Sequence, residues 1–584
     1  MFSRLALGAL LALVPLPAGA TVYYVAAAGT DTASGTSEGE AWQTLSKVNG
    51  QVLLPGDQVL FEGGQSFNGS LTLDERDAGD PTAPVVFSSF GSGTATLIAG
   101  SSGGFYAYNT AGITLTNLTF LGAGADRNTK AGVEFYTDLG GATRLEHVYL
   151  ESVEVSGFRH GILLGGWNGS SGFDDVRVTD SSAHDNQRSG LTSYAESPYG
   201  IVGLYVSTSD FYDNLGDASF AGPSGGGVML GQVSGAKVER SRAWGNGGDG
   251  KPGEGAAGFW VTGSTGVTLQ RNESFRNQAN GTVGGAGFAL DAATAGSVVQ
   301  YSYAHDNDGA GVELRQGAGA ETWGGNVVRY TISENDGRQN GYGAITAGAE
   351  TGALDGCDVY GNTLYISPSA SGTATAAQLR GPTTHFRFLN NLFVTASGVP
   401  LLRVAEGQSD VLFAGNDYWS SGAAFLLEWG ADSYSALPDW ALATGQETVG
   451  GSLVGLDVDP RLTAPGRGGA VAEGAALETL EAYQLQDSSP VVDVGENLVG
   501  AYGIAVGERD FYGNALPQGA GFDLGAHERS VAGNGDSGSD SGADSGPPDD
   551  GAGPPLPDCG CGGGAQAGWL AVGAALVAGG RRRR

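Results

Sequence analysis

The chain has 584 residues, among them 103 glycines, with 40% hydrophobic residues and only 16% charged ones. A formal charge of −33 excludes a nucleic-acid binder, which needs clustered Lys and Arg to displace counterions; it suits a solvated acidic surface, a salty habitat or divalent-cation binding. Three cysteines, two of them near the C-terminus, exclude a disulfide framework for the body of the chain.

Residues 1–20 read as a secretion signal: Arg4, an apolar run from Leu5 to Val14, then Ala18-Gly19-Ala20 as a small-residue cleavage site after Ala20. The run is too short to span a bilayer, so export is the expectation. Residues 21–110 are expected to supply an N-terminal cap and the first coils. They contain Tyr23-Tyr24-Val25, Trp42-Gln43-Thr44-Leu45 and the turn Leu54-Pro55-Gly56-Asp57. A solenoid end without a cap would expose unpaired strand edges.

Residues 111–425 carry a repeat. A β-rich run, a short polar turn ending in Asn, glycines and a second β-rich run recur roughly every thirty residues. The turns end at Asn186, Asn214, Asn246, Asn277, Asn307, Asn335 and Asn362, and more loosely at Asn391 and Asn416. Runs such as Asn326 to Ile332 alternate with period two, as strands do. Leu-rich, helical and Trp-Asp repeat signatures are missing. The pattern predicts an all-β fold, a right-handed parallel β-helix solenoid with caps at both ends, in which the Asn side chains stack as one ladder at one angular position. His184 and His305 share a place in the turn and read as scaffold, and Cys357 reads as a small core residue. The glycine string Gly284-Gly285-Ala286-Gly287 lacks the Lys-Ser/Thr and helix of a nucleotide site.

Residues 426–530 are expected to be C-terminal coils and a cap, and residues 531–558 a Gly/Ser/Asp/Pro linker that cannot bury a core. Residues 559–584 hold Cys559-Gly560-Cys561, an apolar segment and Arg581 to Arg584. This order of parts resembles the C-terminal sorting signals of myxobacterial and related proteobacterial surface proteins. That resemblance implies a processed tail with Cys559 or Cys561 modified, and display at the outer membrane of a Gram-negative cell by export and sorting machinery. A plain membrane anchor is the alternative reading.

The opening stretch, the Leu-Pro-Gly-Asp turn, Gly287 to Asp291, Tyr301 to Gly311, Asp459-Pro460-Arg461-Leu462, Ser489 to Gly495 and Gly521 to Glu528 resemble exported bacterial β-helix repeat proteins of the pectate-lyase-like superfamily. The resemblance spans about residues 21–528 and implies the fold of many polysaccharide lyases and some glycoside hydrolases.

Aligned strands predict which residues share a face. Thr192, Met229, Trp260, Ala289, Glu313 and Ile345 are expected in one outward column, and Tyr194, Gly231, Thr262, Asp291, Arg315 and Ala347 in the next. Aromatic rings beside charged groups suit a saccharide, with Tyr194, Trp260 and the rim residue Lys251 as binding candidates. The leading expectation is a lyase of acidic polysaccharide, with Arg315 as base and Asp291, Asp306 and Asp308 as Ca²⁺ ligands. An inverting glycoside hydrolase using Asp291 and Glu313 is one alternative. A non-catalytic carbohydrate-binding or structural surface protein, with Asp291 and Arg315 merely paired, is the other. A monomer acting on polysaccharide is expected.

Overall fold

The computed structural model describes residues 19–529, apart from 78, 197, 318–321, 371–373 and 472–475. The rest of the leader, the linker and the tail with Cys559 and Cys561 therefore lie outside the described residues. The chain winds as a right-handed parallel β-helix of about 13 turns. Each regular coil lays down three short strands, so the solenoid has three faces. The first face runs from Val22–Val25 to Ser409–Ala414, the second from Ser66–Asn68 to Asp417–Ser421, and the third from Leu71–Leu73 to Leu427–Trp429. Inward residues repeat coil upon coil: Val228, Phe259, Phe288, Val312 and Ile345 are in register on the third face and fully or almost fully buried. Cys357 belongs to the same core.

The corners explain the repeat. Between the second and third faces each turn is made by a residue in the left-handed region, followed by a buried polar residue. The pairs are Asp185-Asn186, Asp213-Asn214, Gly245-Asn246, Arg276-Asn277 and Asp306-Asn307, with Asn335-Asp336 closing the series. Each ladder side chain serves two coils: Asn246 Nδ2 donates to Phe211 O (3.0 Å) and Asn277 Oδ1 (2.9 Å), while its own Oδ1 accepts from Asn214 N (3.1 Å) and Nδ2 (2.9 Å). The ladder ends on Asp336 Oδ1, which accepts from Asn307 N and Nδ2.

The single ladder expected from the spacing is in fact two. Asn362, Asn391 and Asn416 lie at the corner between the first and second faces, continuing a row of Ser181, Ser209, Ser241, Asn272, Ser302 and Thr331. That row ends on buried Glu447, which accepts from Asn416 Nδ2 and the Tyr418 hydroxyl (both 2.7 Å). Asn335 is not a ladder member; it occupies the left-handed position, and Asp336 takes the ladder place.

At the N-terminal end the helix Leu45–Asn49 closes the core with Trp42, which stacks on Tyr23. At the other end the helix Leu437–Thr444 seats Trp440 against Phe413, Tyr418 and Trp429. The remaining described C-terminal residues do not add coils, contrary to expectation. The described residues from Leu456 to Arg529 run back along the outside of the first and second faces as an irregular strap. Its apolar residues, among them Leu480, Tyr483, Val491 and Phe511, join outward-facing Tyr301, Tyr330, Ile332 and Leu392 in a second core. Polar ties pin it: Glu478 to Arg271, Val471 N to Glu273, Tyr483 to Glu334, and Ala505 O to Arg329 and Tyr360.

Candidate active site

The third face is where the strands are least covered by the strap, and its outward columns follow the strand register. The first column reads Thr192, Met229, Trp260, Ala289, Glu313 and Thr346. Ile345 was expected there but pairs with Val312 in the core, one residue out of place. In the second column Asp291 and Arg315 stand on neighbouring coils as expected, and Gly348 rather than buried Ala347 follows Arg315.

Asp291 is the hub. Its Oδ2 accepts from Trp260 Nε1 (3.1 Å) and Arg315 Nη1 (3.3 Å), and its Oδ1 from Ala292 N (2.7 Å). Burial nevertheless raises its pKa, against the pull of Arg315 and these hydrogen bonds. Arg315 also donates to Glu350. Burial works against its charge, but the Asp291, Glu313 and Glu350 carboxylates outweigh this and hold the guanidinium above its ordinary value. Glu313 is half-buried and makes no side-chain hydrogen bond among the described residues. Burial first, and then the charge of Asp291, push its carboxyl up to about 7, with Arg315 and Arg380 opposing. Arg380 is stacked over Tyr342, its Cζ 3.6 Å from the ring centroid, and donates to Gln378. This face thus combines a carboxylic acid that holds its proton near neutral pH with a second carboxylate tied down by a cation.

The other expected site residues are distributed more widely. Trp260 faces outward but is only 9% exposed, packed among Ala257, Ala286, Ala289 and Met229; it orients Asp291 rather than offering an open ring face. Tyr194 is on the same face, but its ring folds over Gly165 toward earlier coils. There it joins a group that sequence reasoning missed: Tyr106, Tyr108 and Tyr136, stacked in sequence, around Glu134. Burial raises Glu134 to about 7, against the opposing charge of Lys130. These coils precede the Asn turns, so no landmark marked their register. Lys251 lies on the loop leading into the Trp260 strand and pairs with Glu254 (3.2 Å). Ala20 precedes Thr21, whose N–H donates to Asp57 Oδ1 (2.7 Å).

Asp291, Asp306 and Asp308 do not converge, so they do not fit a shared Ca²⁺ site. Asp306 is at the corner before the third face, between His305 (3.3 Å) and Arg338 (3.2 Å), and Asp308 accepts from Ala279 N (3.1 Å). Asp291 lies past the far end of the strand Ala286–Leu290. Among the described residues no group of three or more His, Cys, Asp or Glu side chains is placed to hold a metal ion. His184 and His305 end a stack of outward rings on the second face through Tyr212, Trp244 and Phe275.

The model of the right-handed β-helix region family matches residues 103–328. A lacto-N-biosidase of Bifidobacterium longum subsp. longum is 24% identical over 485 residues, covering 65% of this chain and 29% of that protein. Among solved structures, the GH136 lacto-N-biosidase of Eubacterium ramulus is 17% identical with a TM-score of 0.46, covering 67% of this chain and 68% of that one. Pectate lyase Pel9A is also 17% identical, with a TM-score of 0.38, covering 87% of this chain and 96% of that one. The chain spans less than a third of the length of the curated lacto-N-biosidase it matches.

Proposed function

We propose that the protein is an exported, surface-displayed glycan-cleaving enzyme, and that it hydrolyses rather than eliminates. The observation that carries this reading is Glu313, a half-buried carboxyl raised to about 7 on an outward column beside Asp291. A general acid for a glycosidic oxygen must be protonated near the working pH, and burial next to a second carboxylate favours that state. Asp291, oriented by Trp260 and Arg315, is the partner carboxylate. Glu313 pairs with Ala289, two residues before Asp291 on the adjacent strand, an offset of about 8 Å between backbones. That spacing supports the inverting course.

The pairing of the candidate bases weighs against the lyase reading. Arg315 is clamped between two carboxylates that keep it protonated, and Lys251 is paired with Glu254 on the rim. The sequence likeness to a lacto-N-biosidase also supports a hydrolytic reading.

The test is incubation of the purified chain with p-nitrophenyl lacto-N-bioside, neutral glycans, pectate and alginate, with and without Ca²⁺. New reducing ends without unsaturated products are expected, and Glu313→Gln should lower kcat by about 10²-fold or more. Unsaturated products would restore the lyase, and undiminished activity in Glu313→Gln would remove the acid assigned here. No product from any glycan would favour a binding module.

A further inference from the structure

The strap creates a second concave site, on a different face from Glu313. Tyr365, Val394 and Trp419 follow one another in the outer column of the second face. Val394 is buried, while both rings are partly open. Strap residues Asp459 to Leu462, Gln486 and Ser488 form the opposite wall of a cavity of about 580 Å³. That volume falls within the roughly 300–1,000 Å³ of small-molecule sites.

The polar groups around this cavity are held in place yet keep free valences. Arg461 Nη1 donates to Ser488 O (2.9 Å), and its backbone N–H to Asp459 Oδ1 (2.9 Å). These ties hold Arg461 in the left-handed region at φ 53, a conformation unfavourable for a side chain of that size. Gln486 Nε2 donates to Leu462 O (3.2 Å). Among the described residues, the Tyr365 hydroxyl, Trp419 Nε1, Gln486 Oε1 and Asp459 Oδ2 make no hydrogen bond. Two aromatic rings therefore flank a set of free donors and acceptors of both kinds, and Asp459 and Arg461 bring one charge of each sign to the lining. A phosphate or uronate would face the Asp459 carboxylate as well as the Arg461 guanidinium, so the lining offers an anion no net opposite charge. A sugar hydroxyl both donates and accepts, and the apolar face of a sugar ring packs on Tyr or Trp.

We propose that this cavity, between the second face and the strap, is a non-catalytic binding site for a neutral saccharide unit. It holds a glycan to the protein from a face that the candidate active site does not share, and its occupancy bridges solenoid and strap. The inference is independent of the Glu313 reading, because it requires no turnover.

The experiment uses the full chain carrying Glu313→Gln, so that no sugar is consumed. Galactose, glucose, N-acetylglucosamine, xylose and their disaccharides are titrated by saturation-transfer NMR, with galacturonate as the charged control. At least one neutral sugar is expected to bind, with affinity weakened tenfold or more by Trp419→Ala and by Gln486→Ala. Trp419 also packs against the second core, so Gln486→Ala and Tyr365→Phe guard against a folding defect, with the thermal midpoint as the check. Lack of binding by every neutral sugar overturns the proposal. So does binding unaffected by Gln486→Ala and Tyr365→Phe, or galacturonate binding as well as the neutral sugars.

Discussion

Replacing Asn246 by Ala tests the ladder at its middle rung. The side chain is wholly buried and makes four hydrogen bonds, two accepted from Asn214 and two donated, to Phe211 O and Asn277 Oδ1. Alanine keeps only the backbone N–H, which still reaches Asn277 Oδ1 (3.3 Å). Asn214 N loses its acceptor in a buried corner, which costs about 1–3 kcal/mol. The other three lost bonds are worth roughly 1 kcal/mol each, and Asn214 Nδ2 retains its bond to Ala183 O (3.2 Å), which limits the damage there. The expected destabilisation is about 3–5 kcal/mol. Urea unfolding followed by tryptophan fluorescence measures it, and hydrogen exchange at the Asn214 amide locates it. Asn280→Ala, which removes one bond from an exposed side chain to Gly250 O, is the control and should stay within about 1 kcal/mol. If Asn246→Ala costs no more than Asn280→Ala, the ladder does not hold the coils together and the reasoning fails.

Two further outcomes follow from the same corners. Gly258→Ala should destabilise by about 1–3 kcal/mol, because its Cβ would collide with Ser274 Oγ and lie 2.7 Å from Asn277 Nδ2. Gly255→Ala, with nothing within 4 Å, should leave the thermal midpoint unchanged. Stability should also fall as pH rises. Burial lifts Asp336 and Glu447 to about 7, so the fold binds their protons more tightly than the unfolded chain does, and that contribution is lost between the ordinary carboxylate range and pH 7. Burial opposes the charge on His305, but its bonds to Asp306 and Glu273 and the charges of Glu273 and Asp336 raise it to about 9. Its contribution therefore disappears between about pH 6.5 and 9. Unfolding free energies measured from pH 4.5 to 9 should decline throughout, and Asp336→Asn should flatten the lower part of that decline; a rise with pH would reverse the sign and refute it.

The fold was legible because strand alternation and the polar turn are local features that repeat. Assigning every Asn to one ladder failed for a physical reason. Both corners are built from a left-handed residue followed by a hydrogen-bonding side chain, whether Asp213-Asn214 at one or Gly361-Asn362 at the other. Spacing along the chain cannot distinguish two corners of one coil that share this chemistry. The strap escaped notice because its apolar residues read like strand cores. The complementary signal was present on the solenoid, where Tyr301, Tyr330, Ile332 and Leu392 occupy outward or corner places that solvent would leave polar.

The candidate site was half legible for a related reason. Asp291, Glu313 and Arg315 could be placed on one face because each strand there begins with a glycine that has no freedom to move. Gly227, Gly258 and Gly287 lie against the amide groups of Asn246, Asn277 and Asn307, where any Cβ would clash. The glycine row is thus the imprint of the ladder on the third face, and aligning on glycine aligns the outward columns. Once the ladder ends at Asp336 no further amide projects toward the next coil, and Ala344 takes the glycine place. Aligning on Gly343 then shifts that strand by one residue, which is why Ile345 was assigned outward when Thr346 is the residue beside Glu313. The same break frees the coil after Glu313 to depart from the pattern, and its Tyr342 and Glu350, with Arg380 from the following coil, come to lie beside Glu313 and Arg315. Glu350, which helps to pin Arg315, and Arg380, which opposes the rise of Glu313, therefore enter where the repeat loses its constraint.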